Sequence, residues 1–382
     1  MELSPDQRDW LALALSPGIG GTRMVKLLAR FGTPGRVLAA SEAELAEVLG
    51  DTLAQRLRAY REVSEVAEQE ARMRDYEAWI LTLDDPRYPL PLAEIYDPPM
   101  VLWGRGTLEE VDGCAVAIVG TRHATEYGIK VARRLAGELA ARDVTIISGL
   151  AAGIDTAAHE AAIEAGGRTI AVLGNGVDIV FPAENAALMH NILRQGCVVS
   201  PFPMGTKGFR GNFPQRNRII SGLSLGVVVV EAPPGSGSLL TARDAAEQGR
   251  EVFAVPGQIT NRNSLGPHSL IKEGAKLIET VEDILVELNV PASVRQGVAV
   301  PAGESSQQEL ALPEVAPPRP APPANLSPTE STVLASLSPD GSFVDEISLV
   351  CRIPVSEALS TLTMLELKGL ARQFSGKRFA PR

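Results

Sequence analysis

The chain is poor in several residue types, and each shortage argues against a class of protein. Three cysteines, Cys114, Cys197 and Cys351, stand far apart in 382 residues without a Cys-x-x-Cys pair. That spacing argues against a disulfide framework or a zinc cage, and it fits a reducing, cytoplasmic setting. The four histidines are scattered, so no metal and no cofactor is expected. Aromatic residues make up 4%, which argues against an aromatic-rich β-sandwich. No apolar run reaches the roughly 20 residues of a membrane span. Met1–Asp9 is polar and acidic, unlike a secretory leader. Positive charge is also short: 36 Lys and Arg face 46 Asp and Glu, for a formal net charge of -10. Broad, histone-like coating of nucleic acid is excluded, whereas one focused basic site is not.

One stretch stands out against that background. Asn185 to Val230 carries Arg194, Lys207, Arg210, Arg216 and Arg218 and no Asp or Glu. Within it lies Arg210-Gly211-Asn212-Phe213-Pro214-Gln215-Arg216-Asn217-Arg218, where two guanidinium groups flank an amide just after an aromatic ring. Guanidinium forks grip phosphate oxygens and aromatic faces stack on bases, so the pattern points to single-stranded nucleic acid. A solvated basic face with Phe213 in the core explains the same spacing equally well.

The length allows two or three domains, and 45% apolar residues supply a sizeable core. Residues 1–80 read as an N-terminal helical, SAM-like domain. Val25, Leu27, Leu28 and Phe31 are the expected apolar face of one helix. Ser41 and Glu44 form a capping box ahead of another. Gly18-Ile19-Gly20 resembles a helix-hairpin-helix turn, with a plain tight turn the preferred reading. Pro86, Pro89, Pro91, Pro98 and Pro99 are expected to keep their connector extended and free of regular helix. From Cys114 onward, short apolar runs at Ala115–Val119, Val144–Ile147, Thr169–Leu173, Cys197–Ser200, Val227–Val230 and Glu251–Val255 alternate with helical segments. They read as a parallel sheet covered on both faces, an extended Rossmann-like core over residues 81–290. Ligands of such sheets bind outside the C-terminal strand ends. Residues 291–326 are Pro-rich and read as a flexible linker. Residues 327–382 read as three helices and a hairpin turning at Ser375-Gly376, a winged helix. Its last charges, Lys368, Arg372, Lys377, Arg378 and Arg382, are all basic. DNA contact and protein docking are equal readings for that unit.

Several strands run into glycine-bearing turns. Gly120-Thr121-Arg122 sets a cation at the first of them. Ser148-Gly149 and Gly153 permit close backbone approach at the second, with amides at Gly120 and Gly149 expected to face a phosphate. Ser236-Gly237-Ser238 brings hydroxyls to a helix N-terminus. Each alone is an ordinary turn. Converging with Arg210–Arg218 on one sheet edge, they form an expected phosphate groove. Other chemistries fit poorly. Gly174-Asn175-Gly176 lacks the third glycine of a dinucleotide fingerprint, and no P-loop is present. Asp155 and His159, four apart on one helix, are expected to share a structural hydrogen bond. His268 has no acidic neighbour within two residues. No catalytic residue is assigned.

Taken together, several segments resemble the DNA-processing protein A (DprA) family of bacterial transformation. They are Ala117-Ile118-Val119-Gly120-Thr121-Arg122, Ser148-Gly149-Leu150-Ala151-Ala152-Gly153-Ile154-Asp155, Phe213-Pro214-Gln215-Arg216-Asn217-Arg218 and Ser236-Gly237-Ser238-Leu239-Leu240-Thr241-Ala242. The resemblance spans about residues 86–286. It implies a cytoplasmic, non-catalytic binder of single-stranded DNA that forms a homodimer through the Rossmann-like domain and loads the RecA recombinase. It further implies that Arg122 and Arg210 grip DNA and that Phe213 lines a base pocket. Arg216, Asn217 and Arg218 would shape the groove, with one of them serving to orient the loop. One departure stands out. Gly266-Pro267-His268-Ser269-Leu270-Ile271 replaces the usual Gly-Thr-Asn before Leu-Ile, and is expected to alter a loop beside the dimer surface. Two rival readings are a nucleoside-monophosphate phosphoribohydrolase-like enzyme and a winged-helix regulator of duplex DNA. The enzymes' signature, Pro-Gly-Gly-x-Gly-Thr-x-x-Glu, loses its acidic residue at Pro234–Thr241 here.

Overall fold

The computed structural model describes residues 3–62, 65–288, 290, 327–338, 342–351, 353–368, 370–374 and 378–381. The linker expected at 291–326 and the Ser375-Gly376 turn lie outside these residues. Two compact units result, one on each side of that linker.

The first unit is built on a sheet of nine strands in the order β1-β2-β6-β5-β4-β3-β7-β8-β9. They are β1 (Ala78–Thr82), β2 (Val101–Gly106), β3 (Ala115–Val119), β4 (Thr145–Ser148), β5 (Thr169–Val172), β6 (Gly196–Ser200), β7 (Gly226–Val229), β8 (Glu251–Ala254) and β9 (Lys276–Leu277). From β6 across to β9 every pairing is parallel, while β1 and β2 add an antiparallel hairpin at one edge. All residues of β3 through β7 are buried, as strands covered on both faces require. Each fully buried Val or Ile there contributes about 1.5–3 kcal/mol.

Six helices precede the sheet: α1 (Pro5–Leu15), α2 (Gly21–Phe31), α3 (Pro34–Ala39), α4 (Glu42–Leu49), α5 (Asp51–Glu62) and α6 (Val66–Asp75). Ser41 and Glu44 make the expected capping box on α4. On α2 the buried residues are Met24 and Leu27, whereas Val25, expected in the apolar face, is 54% exposed. One residue is 100° of helix, enough to turn Val25 out. These helices share a hydrophobic cluster with Trp103 of β2 and Val198 of β6. β1 itself crosses residue 80, the expected domain boundary.

The remaining helices are α7 (Leu90–Ala93), α8 (Glu126–Ala140), α9 (Ile154–Glu164), α10 (Ala186–Gln195), α11 (Asn212–Gly222), α12 (Gly237–Glu247), α13 (Leu265–Lys272) and α14 (Val281–Glu287). The Pro-rich connector was expected to exclude helix, yet α7 forms one turn there. Pro91 sits in its first turn, where a missing N–H costs nothing. Gly266–Ile271, expected as a loop, lies within α13, where the Gly266 N–H donates to the Ala232 carbonyl at 2.9 Å.

Helices α8 and α9 cover one face of the sheet, α11 and α12 the other. The chain leaves β3 for α8 and leaves β7 for α12, on opposite faces, although β3 and β7 are neighbours. The C-terminal ends of these two strands therefore flank the switch point of the sheet, where such folds open a crevice.

In the second unit, α15 (Pro328–Ala335), α16 (Val344–Cys351) and α17 (Val355–Leu367) enclose a core of Val333, Ile347, Leu362, Leu365 and Phe379. Strands β11 (Ala371–Phe374) and β12 (Arg378–Pro381) form the expected wing. A short strand not foreseen from the sequence, β10 (Ser342–Phe343), pairs with β12. The architecture is mixed α/β with a large parallel sheet and a C-terminal winged helix.

Candidate nucleic-acid interface

The turn after β3 is closely packed between α9 and the end of β7. A Cβ at Gly120 would lie 2.5 Å from Ile154 Cγ1 and 2.9 Å from the Glu231 carbonyl oxygen, so only glycine fits. The Thr121 N–H donates to that same Glu231 carbonyl at 2.7 Å, tying β3 to β7. Glu231, itself buried, accepts from the Thr125 hydroxyl at 2.6 Å and from the Thr125 N–H at 2.9 Å. Arg122 projects from this fixed turn and is exposed. Its guanidinium carbon lies 5.4 Å from the centroid of Phe213, within cation–π range.

Phe213, Arg216 and Asn217 lie three and four residues apart on α11, so they share one helical face, and Arg218 turns to another. Pro214 falls in the first turn and costs α11 no hydrogen bond. Asn217 donates to the Gly237 carbonyl at 3.1 Å, which joins α11 to the start of α12. Ser236 caps α12, and its hydroxyl lies 2.8 Å from that of Ser238. Between these elements opens a cavity of about 290 Å³, lined by Thr121, Arg122, Phe213, Asn217, Ser236 and Ser238, with Gly120 and Gly237 also at its wall. A smaller recess of about 80 Å³ adjoins it and shares Arg122, Phe213 and Arg216. Arg122 and the Phe213–Arg216 segment thus meet on one sheet edge. Helix α12 adds the positive end of its dipole, and the serine hydroxyls add donors suited to a phosphate.

Several expected groove residues sit beneath this cleft instead. Ser148 is fully buried, and its hydroxyl donates to the Ile118 carbonyl at 2.6 Å, a tie between strands. The Gly149 amide does not face a phosphate, because it donates to Asp155 at 3.1 Å. Gly149 is glycine for another reason: a Cβ there would overlap the Arg216 guanidinium. Arg216 is only 5% exposed, and its Nη1 donates to the Val172 carbonyl at 3.0 Å. Burial pushes its guanidinium down in pKa, and the charge of Asp155 opposes that shift. Burial likewise pushes the Asp155 carboxyl up, opposed first by Arg216. The Arg216 guanidinium carbon lies 5.8 Å from the Phe213 centroid. Arg218 pairs with Asp97 at 3.2 Å, a residue far outside the acid-free window, and lines neither cavity. Arg210 is exposed just ahead of α11 and also lines neither.

Asp155 and His159 do not bond as expected. Asp155 accepts from the Gly149 and Ala151 amides. His159 is fully buried with Nδ1 2.6 Å from the Thr169 hydroxyl oxygen. That hydroxyl spends its one proton on the Ile146 carbonyl at 2.7 Å. The histidine must therefore donate from Nδ1, leaving Nε2 without a partner. Burial, followed by the Arg216 charge, pushes His159 down to about 3, so it is neutral at physiological pH. His268, also without an acidic partner, meets the Gly257 carbonyl at 3.1 Å.

Two residues at the cleft escaped sequence reasoning. His123 lines the larger cavity, and its position next to Arg122 on the same turn was the available signal. Phe181 lines the smaller recess, and nothing in its spacing from Phe213 betrayed it. A cavity of about 620 Å³ lies elsewhere, beside the β1–β2 hairpin. Among the described residues Arg87 is the one cation on its wall, and it is paired with Asp85, so it offers little to a phosphate. Among the described residues no group of His, Cys, Asp or Glu could hold a metal ion, and no helix is long and apolar enough to cross a membrane.

A doubly wound sheet with a cationic, hydroxyl-lined cleft at its switch point, in one chain with a winged helix, defines a Rossmann-like α/β protein with a C-terminal winged-helix domain. The chain belongs to the DNA recombination-mediator protein A family, whose model matches residues 79–289, and residues 317–377 match the DprA winged helix domain. It is 33% identical to protein Smf of Synechocystis over 403 residues, 99% of each chain. It is 46% identical to the DNA processing protein DprA of Bacillus subtilis over 209 residues, 54% of this chain and 70% of that one. Among solved structures, DprA of Streptococcus pneumoniae superposes with a TM-score of 0.67 at 34% identity, covering 76% of this chain and all of that one. DNA processing protein A of Helicobacter pylori, solved to describe its single-stranded DNA binding mode, superposes at 0.51 with 28% identity over 56% of this chain and 95% of that one.

Proposed function

We propose that the chain binds single-stranded DNA along the cleft at the β3–β7 switch point. The observation that carries this reading is the Arg122 guanidinium 5.4 Å from the Phe213 centroid, at a cavity closed by the serine-capped start of α12. In this reading a phosphate sits between Arg122, Thr121 and the Ser236-Gly237-Ser238 turn, while the base turns toward Phe213. Arg210, exposed beside the cleft, takes a neighbouring phosphate, and Asn217 holds α11 against α12. No bond is made or broken. The relative from Helicobacter pylori, with its single-stranded DNA binding mode, supports the ligand class.

The wider role follows the family: a cytoplasmic mediator of DNA recombination in transformation, working as a homodimer and handing strands to RecA. The division into an N-terminal helical domain, a Rossmann-like domain, a linker and a winged helix belongs to the same proposal. Fluorescence anisotropy with labelled oligothymidine and with a duplex of equal length tests the core of it. Single strands are expected to bind at least tenfold more tightly. Equal or stronger binding of the duplex would move the activity to the winged helix.

A further inference from the structure

Phe213 is half-buried, and its ring has close neighbours. Arg122 and Arg216 both lie within cation–π range of it, and a Cβ at Gly174 would come 3.0 Å from its Cδ1. Phe181 differs. It is 44% exposed, its ring centroid lies 6.0 Å from that of Phe213, and the two planes are tilted by 37°. Together with Arg122 it lines the recess of about 80 Å³, which is too small to enclose a nucleobase. A base meeting this recess lies across its lip, against the Phe181 ring.

The loop that carries Phe181 is anchored. The buried Asn175 side chain donates to the Ile179 carbonyl at 2.7 Å and to the Gly176 carbonyl at 2.9 Å. Asp178 accepts from the Gly205 amide at 2.9 Å and pairs with Arg72 of α6 at 3.3 Å. An exposed apolar ring on an anchored loop, beside the exposed Arg122, offers a flat face fixed before any ligand arrives.

We infer that Phe181 is a second base-stacking residue, seating the nucleotide next to the one at Phe213, so that each protomer holds two successive bases of a single strand. This rests on the reading of the cleft as a single-strand site. Stacking involves the base and no charge, which separates it from phosphate contact.

The experiment is an anisotropy titration of the full chain with labelled oligothymidine and with an oligomer of the same length made of abasic sites. Phe181→Ala and Phe181→Leu are expected to weaken oligothymidine binding at least about fivefold, with the salt dependence unchanged. Phe181→Trp is expected to bind as tightly as the native chain or more so. On the abasic oligomer native chain and Phe181→Leu are expected to bind alike. Native-like oligothymidine binding by Phe181→Leu overturns the inference. So does an equal loss on both oligomers, which would make Phe181 a loop-shaping residue. Arg122→Ala, run in parallel, separates the two levels. If it binds as tightly as the native chain, the cleft reading itself fails. If it weakens binding while Phe181→Leu does not, only the stacking inference fails.

Discussion

Arg122 and Arg216 reach the same phenylalanine from two different layers of the molecule. Their guanidinium carbons lie 5.4 and 5.8 Å from the Phe213 centroid, yet one is exposed on a turn and the other is buried, donating to the Val172 carbonyl. Arg122 and Phe181 at the recess, and Arg210 outside both cavities, are exposed to solvent. The buried layer, Ser148, Gly149, Asp155, His159 and Arg216, has its polar groups largely spent on the protein itself. Residue type alone does not assign a role. A guanidinium binds ligand where it can be desolvated on arrival, and it braces the fold where desolvation has already happened.

Removing the buried charge tests the contrast most severely. Arg216→Met keeps most of the side chain's volume but leaves Asp155 without its compensating charge and the Val172 carbonyl without a donor. It is expected to cost about 3 kcal/mol or more in urea unfolding. A loss below about 1 kcal/mol would mean that Arg216 belongs to the rim.

His159 sharpens the contrast through pH. Its folded value, about 3, lies below the ordinary histidine value of about 6.5, so the unfolded chain binds more protons between those limits. Stability is therefore full above about pH 6.5 and falls as the pH drops toward 3. Between about pH 7.5 and 5.5 the loss from this residue is about 1 kcal/mol. His159→Asn, compared with the native chain in denaturant titrations at both pH values, is expected to lose that part of the pH dependence. An unchanged pH dependence would place a charged or exposed histidine there.

Arg218→Ala is the mild control. It breaks a half-exposed pair with Asp97 and is expected to cost under about 1 kcal/mol, with single-strand affinity within twofold. A tenfold loss of affinity would return Arg218 to the groove.

The sheet was legible because strands buried on both faces are apolar at most positions, and the runs from Ala115 to Val255 are, with Thr145, Thr169, Ser200 and Glu251 as the exceptions. Glycine turns were legible too, but not their reasons. Gly149 makes room for Arg216, which lies 67 residues further along the chain. Asp97 reaches Arg218 from outside the acid-free window, so counting charges along the chain overstated the local excess. The apposition of Arg122 and Phe213 came through the family resemblance of their motifs. Phe181 did not, since its approach to Phe213 depends on how the loop after β5 folds back. On α2 the expected apolar face included Val25, because periodicity tolerates an error of one residue where a short helix offers few repeats.

Arg122 is expected to meet a phosphate while Arg216 holds the fold. The direct measurement is the salt dependence of oligothymidine binding by Arg122→Ala, with unfolding followed on the same protein. The account predicts native stability within about 0.5 kcal/mol, an affinity at least tenfold weaker, and a slope of log affinity against log salt shallower by about 0.7, the signature of one lost phosphate contact. A native slope and affinity in a stably folded Arg122→Ala protein would contradict it.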